Sequence, residues 1–111
     1  MKRTFTYDEA KASFPRVRQL TVGAVRQVDA VYQGVRGRED AEARKPEIDA
    51  AVEQIVAEWT SRIVALGCEV KGLWLVDWDN GDGYYCWKYP EESISHFHGY
   101  DEGFAGRVAI H

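Results

Sequence analysis

The stretch Leu73-Trp74-Leu75-Val76-Asp77-Trp78, then Asp79-Asn80-Gly81-Asp82-Gly83, then Tyr84-Tyr85-Cys86-Trp87-Lys88, decides the fold. Trp, Tyr, Val and Leu at this density suit a pleated, half-buried surface. The Asn-Gly-Asp-Gly run between the two segments is hairpin-turn chemistry, too short for a calcium loop. Tyr89-Pro90-Glu91-Glu92 turns again, and Ser93-Ile94-Ser95-His96-Phe97-His98 makes a third strand. The reading is a three-stranded antiparallel β-meander. With two-residue tips at both turns, Trp74, Val76, Trp78, Tyr85, Trp87, Ile94, His96 and His98 share one face. Leu75, Tyr84, Cys86 and Phe97 share the other. This grouping depends on the register, because a turn longer by one residue turns a whole strand over.

Upstream, the period changes from two to 3.6. Thr6-Tyr7-Asp8-Glu9 is a capping box, with Phe5 placed to staple onto the first turn. Pro15 predicts a break or kink near Ser13–Phe14. Val17, Leu20, Ala24, Val28, Val31 and Val35 then step by threes and fours along one helical stripe. Gly34 and Gly37 end it, and the mixed charges of residues 36–45 predict a solvated connection. Pro46 suits the first turn of a second long helix striped by Ile48, Val52, Ile55, Trp59, Ile63 and Leu66, with Gly67 as its C-terminal cap. The expected fold is therefore α+β: a long antiparallel helical hairpin over residues 6–67, packed on the β-meander and C-terminal loop of residues 69–111.

A chain of 111 residues fits one domain, 1–111, with room for one core. Hydrophobic residues at 45% and charged residues at 29% exclude a disordered chain. A net charge of −4 argues against general nucleic-acid binding. Acids follow Lys2 and Arg3 where a signal peptide has its apolar run, and no stretch is long enough to span a membrane. The expected compartment is the cytoplasm, where Cys68 and Cys86 stay reduced. Their spacing is neither a zinc knuckle nor a redox motif.

Reactive residue types gather near the C-terminus. His96 and His98 are two apart on a strand and point the same way, so together they can hold a divalent transition metal, with Asp101 as a third ligand. Cys86 joins that set only if the pairing brings it to the same face. The plainer reading is that one histidine is exposed and the other makes a core-edge hydrogen bond, because no complete ligand set with a standard spacing is present. Cys86 with a histidine is a possible nucleophile and base, although a cysteine between Tyr85 and Trp87 usually packs. Asp101-Glu102-Gly103-Phe104-Ala105-Gly106-Arg107 reads as a structured loop. In it Arg107 grips a phosphate or carboxylate, or else pairs with Asp101 or Asp77 while Phe104 plugs the core. His98, Asp101 and Arg107 are the ligand-binding candidates. His96, His98, Asp101 and Cys86 are the metal candidates.

Phe5-Thr6-x-Asp8-Glu9-Ala10, Phe14-Pro15-x-Val17, Leu66-Gly67-x-Glu69-Val70-Lys71, Leu75-Val76-Asp77-Trp78, Cys86-Trp87-Lys88, Phe97-His98 and Asp101-x-Gly103-Phe104-Ala105-Gly106-Arg107 run nearly end to end. Together they resemble the prokaryotic domain-of-unknown-function family numbered 2203. The resemblance directs interest to His98, whose aromatic-His pair matches the family. Pro90 stands where similar chains often have glycine. The resemblance implies a bacterial cytoplasmic protein and brings no activity with it. Two functions are expected to compete. One is a non-enzymatic, self-associating module, a homodimer joined through apolar Leu75, Tyr84 and Phe97 on an outer sheet face. The other is a small-ligand or metal site, catalytic or not, in the C-terminal cluster.

Overall fold

The computed structural model describes residues 3–110; Met1, Lys2 and His111 of the expected 1–111 domain lie outside the described residues. Helix α1 (Tyr7–Gln33) is followed by α2 (Gly37–Ala43) and α3 (Lys45–Ala65). Five strands come next: β1 (Glu69–Gly72), β2 (Leu75–Asp79), β3 (Tyr84–Lys88), β4 (His96–His98) and β5 (Val108–Ala109). They form one antiparallel sheet in chain order. The fold is α+β, helices before sheet, and the sheet has five strands rather than three.

The capping box at Thr6 forms in full, with Thr6 Oγ1 accepting from the Glu9 amide and Glu9 Oε1 accepting from the Thr6 amide. The expected break before Pro15 is absent, and α1 runs through it. Residues beside the proline are pinned from outside the helix. Phe14 packs edge-on against Trp87 at 5.2 Å between ring centroids, and Ser13 Oγ accepts from Trp78 Nε1 at 2.8 Å. Tertiary contacts on this turn offset the backbone hydrogen bond that proline forfeits. The connection over residues 36–45 is also more ordered than its charges suggest. Asp40 Oδ2 accepts from the Arg36 amide at 2.8 Å, and Arg44 reaches back to Asp40, so the segment winds into α2.

α1 and α3 pack side by side. Trp59 Nε1 donates to Thr21 Oγ1, while Thr21 donates to the Val17 carbonyl, so a buried threonine and a buried indole satisfy each other. The core lies between the helices and one sheet face. Ala10, Val17 and Ala24 come from α1, Trp59 and Ile63 from α3, and Val76, Trp78 and Trp87 from the sheet.

Two features of the sheet escaped the sequence reading. Leu73 and Trp74 are a tight turn between β1 and β2, not the start of a strand. Trp74 takes a positive φ of 58°, a costly conformation for a bulky residue, and its indole packs on Trp59 at 4.9 Å. The second is register. Asp79 pairs with Tyr84 across the glycine turn, which keeps Val76, Trp78, Tyr85 and Trp87 together as expected. Between β3 and β4, however, Tyr85 pairs with Phe97 and Cys86 with His96. An odd number of residues, 89–95, joins these strands, so β4 is turned over relative to a two-residue tip. Phe97 joins the helix-facing side. His96 and His98 move to the side that holds Cys86.

Candidate functional site

The sheet face turned away from the helices begins with a row of paired residues: Glu69 on β1, Asp77 on β2, Cys86 on β3 and His96 on β4. His98 stands one pair further along β4, opposite Tyr84. The short Cys86 side chain leaves room for the His98 ring to reach across β3. His98 Nε2 meets Asp77 Oδ2 at 2.8 Å. Gly83 makes that approach possible, because a Cβ there would lie 2.6 Å from the His98 carbonyl and 2.7 Å from the Phe97 ring. Asp77 and Cys86 are 0% exposed and His98 is 3% exposed.

The hydrogen bonds fix the proton count. His98 Nδ1 lies 2.9 Å from the Gly99 carbonyl, which only accepts, so Nδ1 carries a hydrogen and donates. The contact between Nε2 and Oδ2 then holds one proton, on either the ring or the carboxyl. Burial raises the Asp77 carboxyl above the usual carboxylate range, opposed by hydrogen bonding with Cys86 and by His98. Asp77 Oδ1 is buried and has no nitrogen or oxygen hydrogen-bond partner among the described residues. Burial, with the Asp77 charge beside it, pushes the Cys86 thiol up to about 12, and nearby Arg107 opposes this. A thiol so placed is a poor nucleophile, because catalytic cysteines need a lowered pKa.

The segment 99–107 covers this face. Gly99 and Glu102 tie its start together, the Gly99 amide donating to Glu102 Oε1 at 2.8 Å. A 3-10 turn, Phe104–Gly106, follows Gly103, whose φ of 64° needs a residue without a side chain. Arg107 anchors the end of the segment. Its guanidinium makes two 3.0 Å bonds to the two carboxylate oxygens of Glu91 and stacks on Phe104 at 4.1 Å. Glu91 also accepts from the Lys88 amide, and lies 3.6 Å from His96 Nδ1. Arg107 thus pairs with neither Asp101 nor Asp77. Phe104 does not plug the core, since it is 40% exposed at the rim of the site.

Between loop and sheet is a cavity of about 280 Å³. Leu75, Tyr84, Tyr100 and Phe104 give it apolar walls, Asp77 and His98 form its floor, and Lys71 sits at one side. Tyr100 Oη donates to Asp79 Oδ1 at 2.7 Å.

Of the residues singled out from sequence, His98 and Cys86 come together here. His96 turns to Glu91 and Ser95. Asp101 lies exposed on the loop, and Arg107 holds that loop down. Sequence reasoning missed Asp77 and Glu91 as members of the site. An acid inside the apolar run Leu73–Trp78 was the available signal for Asp77. Nothing local marked Glu91.

Among the described residues no helix is long and apolar enough to cross a membrane. No curated protein and no solved structure matches the chain. The family described as "Uncharacterized conserved protein (DUF2203)" matches over residues 3–110, in line with the motifs spread along the whole chain. The chain belongs to the DUF2203 family.

Proposed function

We propose that the protein is a small-ligand-binding module whose ligand occupies the cavity under the 99–107 loop. One observation carries this reading: a cleft with apolar and aromatic walls closes over two convergent polar groups, Asp77 and His98. Tyr100 and Phe104, 47% and 40% exposed, stand at its rim without being needed in the core. The occupant is a compact molecule with an apolar body and one polar head directed at the floor. A bacterial cytoplasmic setting fits two free cysteines. The test is a thermal-shift screen of small metabolites against wild type, Tyr100→Ala and Phe104→Ala. A ligand that stabilises wild type and loses its effect in both variants supports the reading. Ligands that stabilise all three equally, or none at all, remove it.

Self-association is a second reading, carried by a different region. α1 has 27 residues and spans about 40 Å, whereas the five residues of β2 span about 17 Å. The far end of the helices therefore has no sheet to cover it. There Tyr32, Val35, Ala41 and Ile48 line an apolar hollow of about 300 Å³. The outer sheet face no longer motivates association, since Leu75 and Tyr84 are buried under the loop. A second copy packed on the helix ends predicts a dimer in sedimentation equilibrium that Tyr32→Glu dissociates. A monomer at every concentration removes this reading.

A further inference from the structure

We propose that Asp77, Cys86 and His98 form the binding site of one zinc-class divalent cation, with its fourth coordination position open to the cavity. The inference rests on the cavity being a working site and adds what lies at its floor.

The donor set comes first. One carboxylate oxygen, one thiol sulfur and one imidazole nitrogen lie within 4.8 Å of one another. Mixed oxygen, sulfur and nitrogen donors suit zinc and its neighbours better than magnesium or calcium, which take oxygen. The orientation of His98 is the second observation. Metal-binding histidines usually donate one ring N–H to a carbonyl or carboxylate and offer the other nitrogen to the ion. Nδ1 of His98 is committed to the Gly99 carbonyl in this way, and Nε2 faces the cluster.

The third observation is independent of both. Asp77 is fully buried, yet among the described residues its Oδ1 has no nitrogen or oxygen partner, and the Cys86 thiol beside the carboxylate is only a weak donor. A buried acceptor left unmade is costly, and such groups call for an explanation such as an ion. Charge agrees as well. A thiolate and a carboxylate bring two negative charges, and a neutral imidazole adds none, so a divalent cation leaves the buried site neutral.

Binding displaces two protons to solvent, one from the Cys86 thiol and one shared between Nε2 and Oδ2. The sulfur, oxygen and Nε2 lone pairs then bond the ion. Ligands on one tetrahedral ion stand roughly 3.3 Å apart at these bond lengths, so the 2.8 Å contact of His98 Nε2 with Asp77 Oδ2 is given up and Oδ1, the oxygen left over, is the donor atom. Arg107, 4.0 Å from Sγ, favours the thiolate and stays held by Glu91. Because the cavity reaches Asp77 and His98, a water or a ligand head can take the fourth position.

The experiment uses tag-free, full-length protein stripped with chelator and titrated with Zn²⁺, and separately with Co²⁺ as a spectroscopic probe. The expected result is one equivalent of Zn²⁺ with two protons released, seen by calorimetry in buffers of different ionisation enthalpy. Co²⁺ is expected to show a sulfur-to-metal charge-transfer band and tetrahedral visible bands. Cys86→Ser removes the charge-transfer band, whereas Cys68→Ser keeps it. Asp77→Asn weakens Zn²⁺ at least as much as the roughly 10–100-fold loss typical of outer-shell partners. If Cys86→Ser fails to fold, the wild-type Co²⁺ spectrum decides alone. Absence of one-to-one binding in folded wild type overturns the inference, and so does binding without a sulfur band. Metabolite stabilisation of zinc-free protein that Tyr100→Ala abolishes, with no Zn²⁺ binding, sinks the metal and spares the cavity. Stoichiometric zinc with no responsive metabolite does the reverse.

Discussion

The two faces of the sheet bury residues from the same strands under different rules. On the helix side, Val76, Trp78 and Trp87 are fully buried, and the polar atoms among them are all served. Trp78 Nε1 donates to Ser13, and Trp87 Nε1 donates to the Glu91 carbonyl at 2.7 Å. On the loop side, Asp77, Cys86 and His98 are as deeply buried, under a single surface segment, and Asp77 Oδ1 has no nitrogen or oxygen partner among the described residues. The helix side looks built for stability, its contacts apolar and its donors satisfied. The loop side keeps ionisable groups where hydrocarbon of the same size would be cheaper to bury. That physical cost is why the proposed site is placed on the loop side.

The largest effect expected is on the helix side. Trp78→Ala removes a fully buried indole, opens a cavity and takes away one hydrogen bond of the Ser13 hydroxyl, which still donates to the Ala10 carbonyl. It is expected to cost about 3–5 kcal/mol, a large share of a typical domain's stability of about 5–15 kcal/mol. Asp77→Asn keeps the side-chain shape and can donate to His98 Nε2, so roughly 1 kcal/mol is expected in metal-free protein. Urea midpoints of the two variants measure the difference at constant m-value. If Asp77→Asn is the more damaging, the loop side is structural and the contrast fails.

The helix side was far more legible in the sequence than the loop side, and register explains most of the gap. Apolar stripes at 3.6 spacing need no long-range information, and the Asn80–Gly83 turn carries its own chemistry: Asn80 Oδ1 accepts from the amides of Asp82 and Gly83. The 89–95 connection has no such mark. Ile94 is buried in the core although it lies outside β4, so it imitated the alternation of a strand and put the histidines on the wrong face. β1 was hidden because its turn uses Leu73 and Trp74, where the stabilising contact is Trp59, 15 positions earlier. Asp77 reads as a solvent-facing strand residue until the loop 22 and more positions later is folded over it. In each case the missing information was a distant contact.

An intermediate effect tests how the loop is held. Glu91→Gln loses the paired charge on Arg107, and about 1–2 kcal/mol is expected after allowing for partial exposure. The pH dependence has a definite sign. Burial raises the Glu91 carboxyl, but hydrogen bonds from Arg107 and Lys88 outweigh it and leave its pKa below the ordinary 4.5. A carboxylate depressed on folding adds stability above its unfolded pKa and loses it as pH falls through the folded one. Wild type should therefore lose more stability than Glu91→Gln as pH drops below about 4.5. Parallel profiles would show that the clamp contributes nothing.

The smallest effect on stability should carry the largest on function. Tyr100 and Phe104 are half exposed, so truncating either removes little buried area. Substitutions away from core, caps and buried networks usually change stability by no more than about 0.5 kcal/mol. Tyr100→Ala also gives up the hydrogen bond to Asp79 and the edge contact with Tyr84 at 5.1 Å, so it should fall near 1 kcal/mol, with Phe104→Ala below it. Both rings wall the cavity whose floor is Asp77 and His98. Ligand-induced stabilisation should therefore collapse in variants whose unliganded melting temperatures stay close to wild type. Helix-side variants should show the opposite, with low stability and ligand response retained while folded. A loop-side variant that loses stability and ligand response together would mean the rim is core after all, and that the two faces do not divide the work.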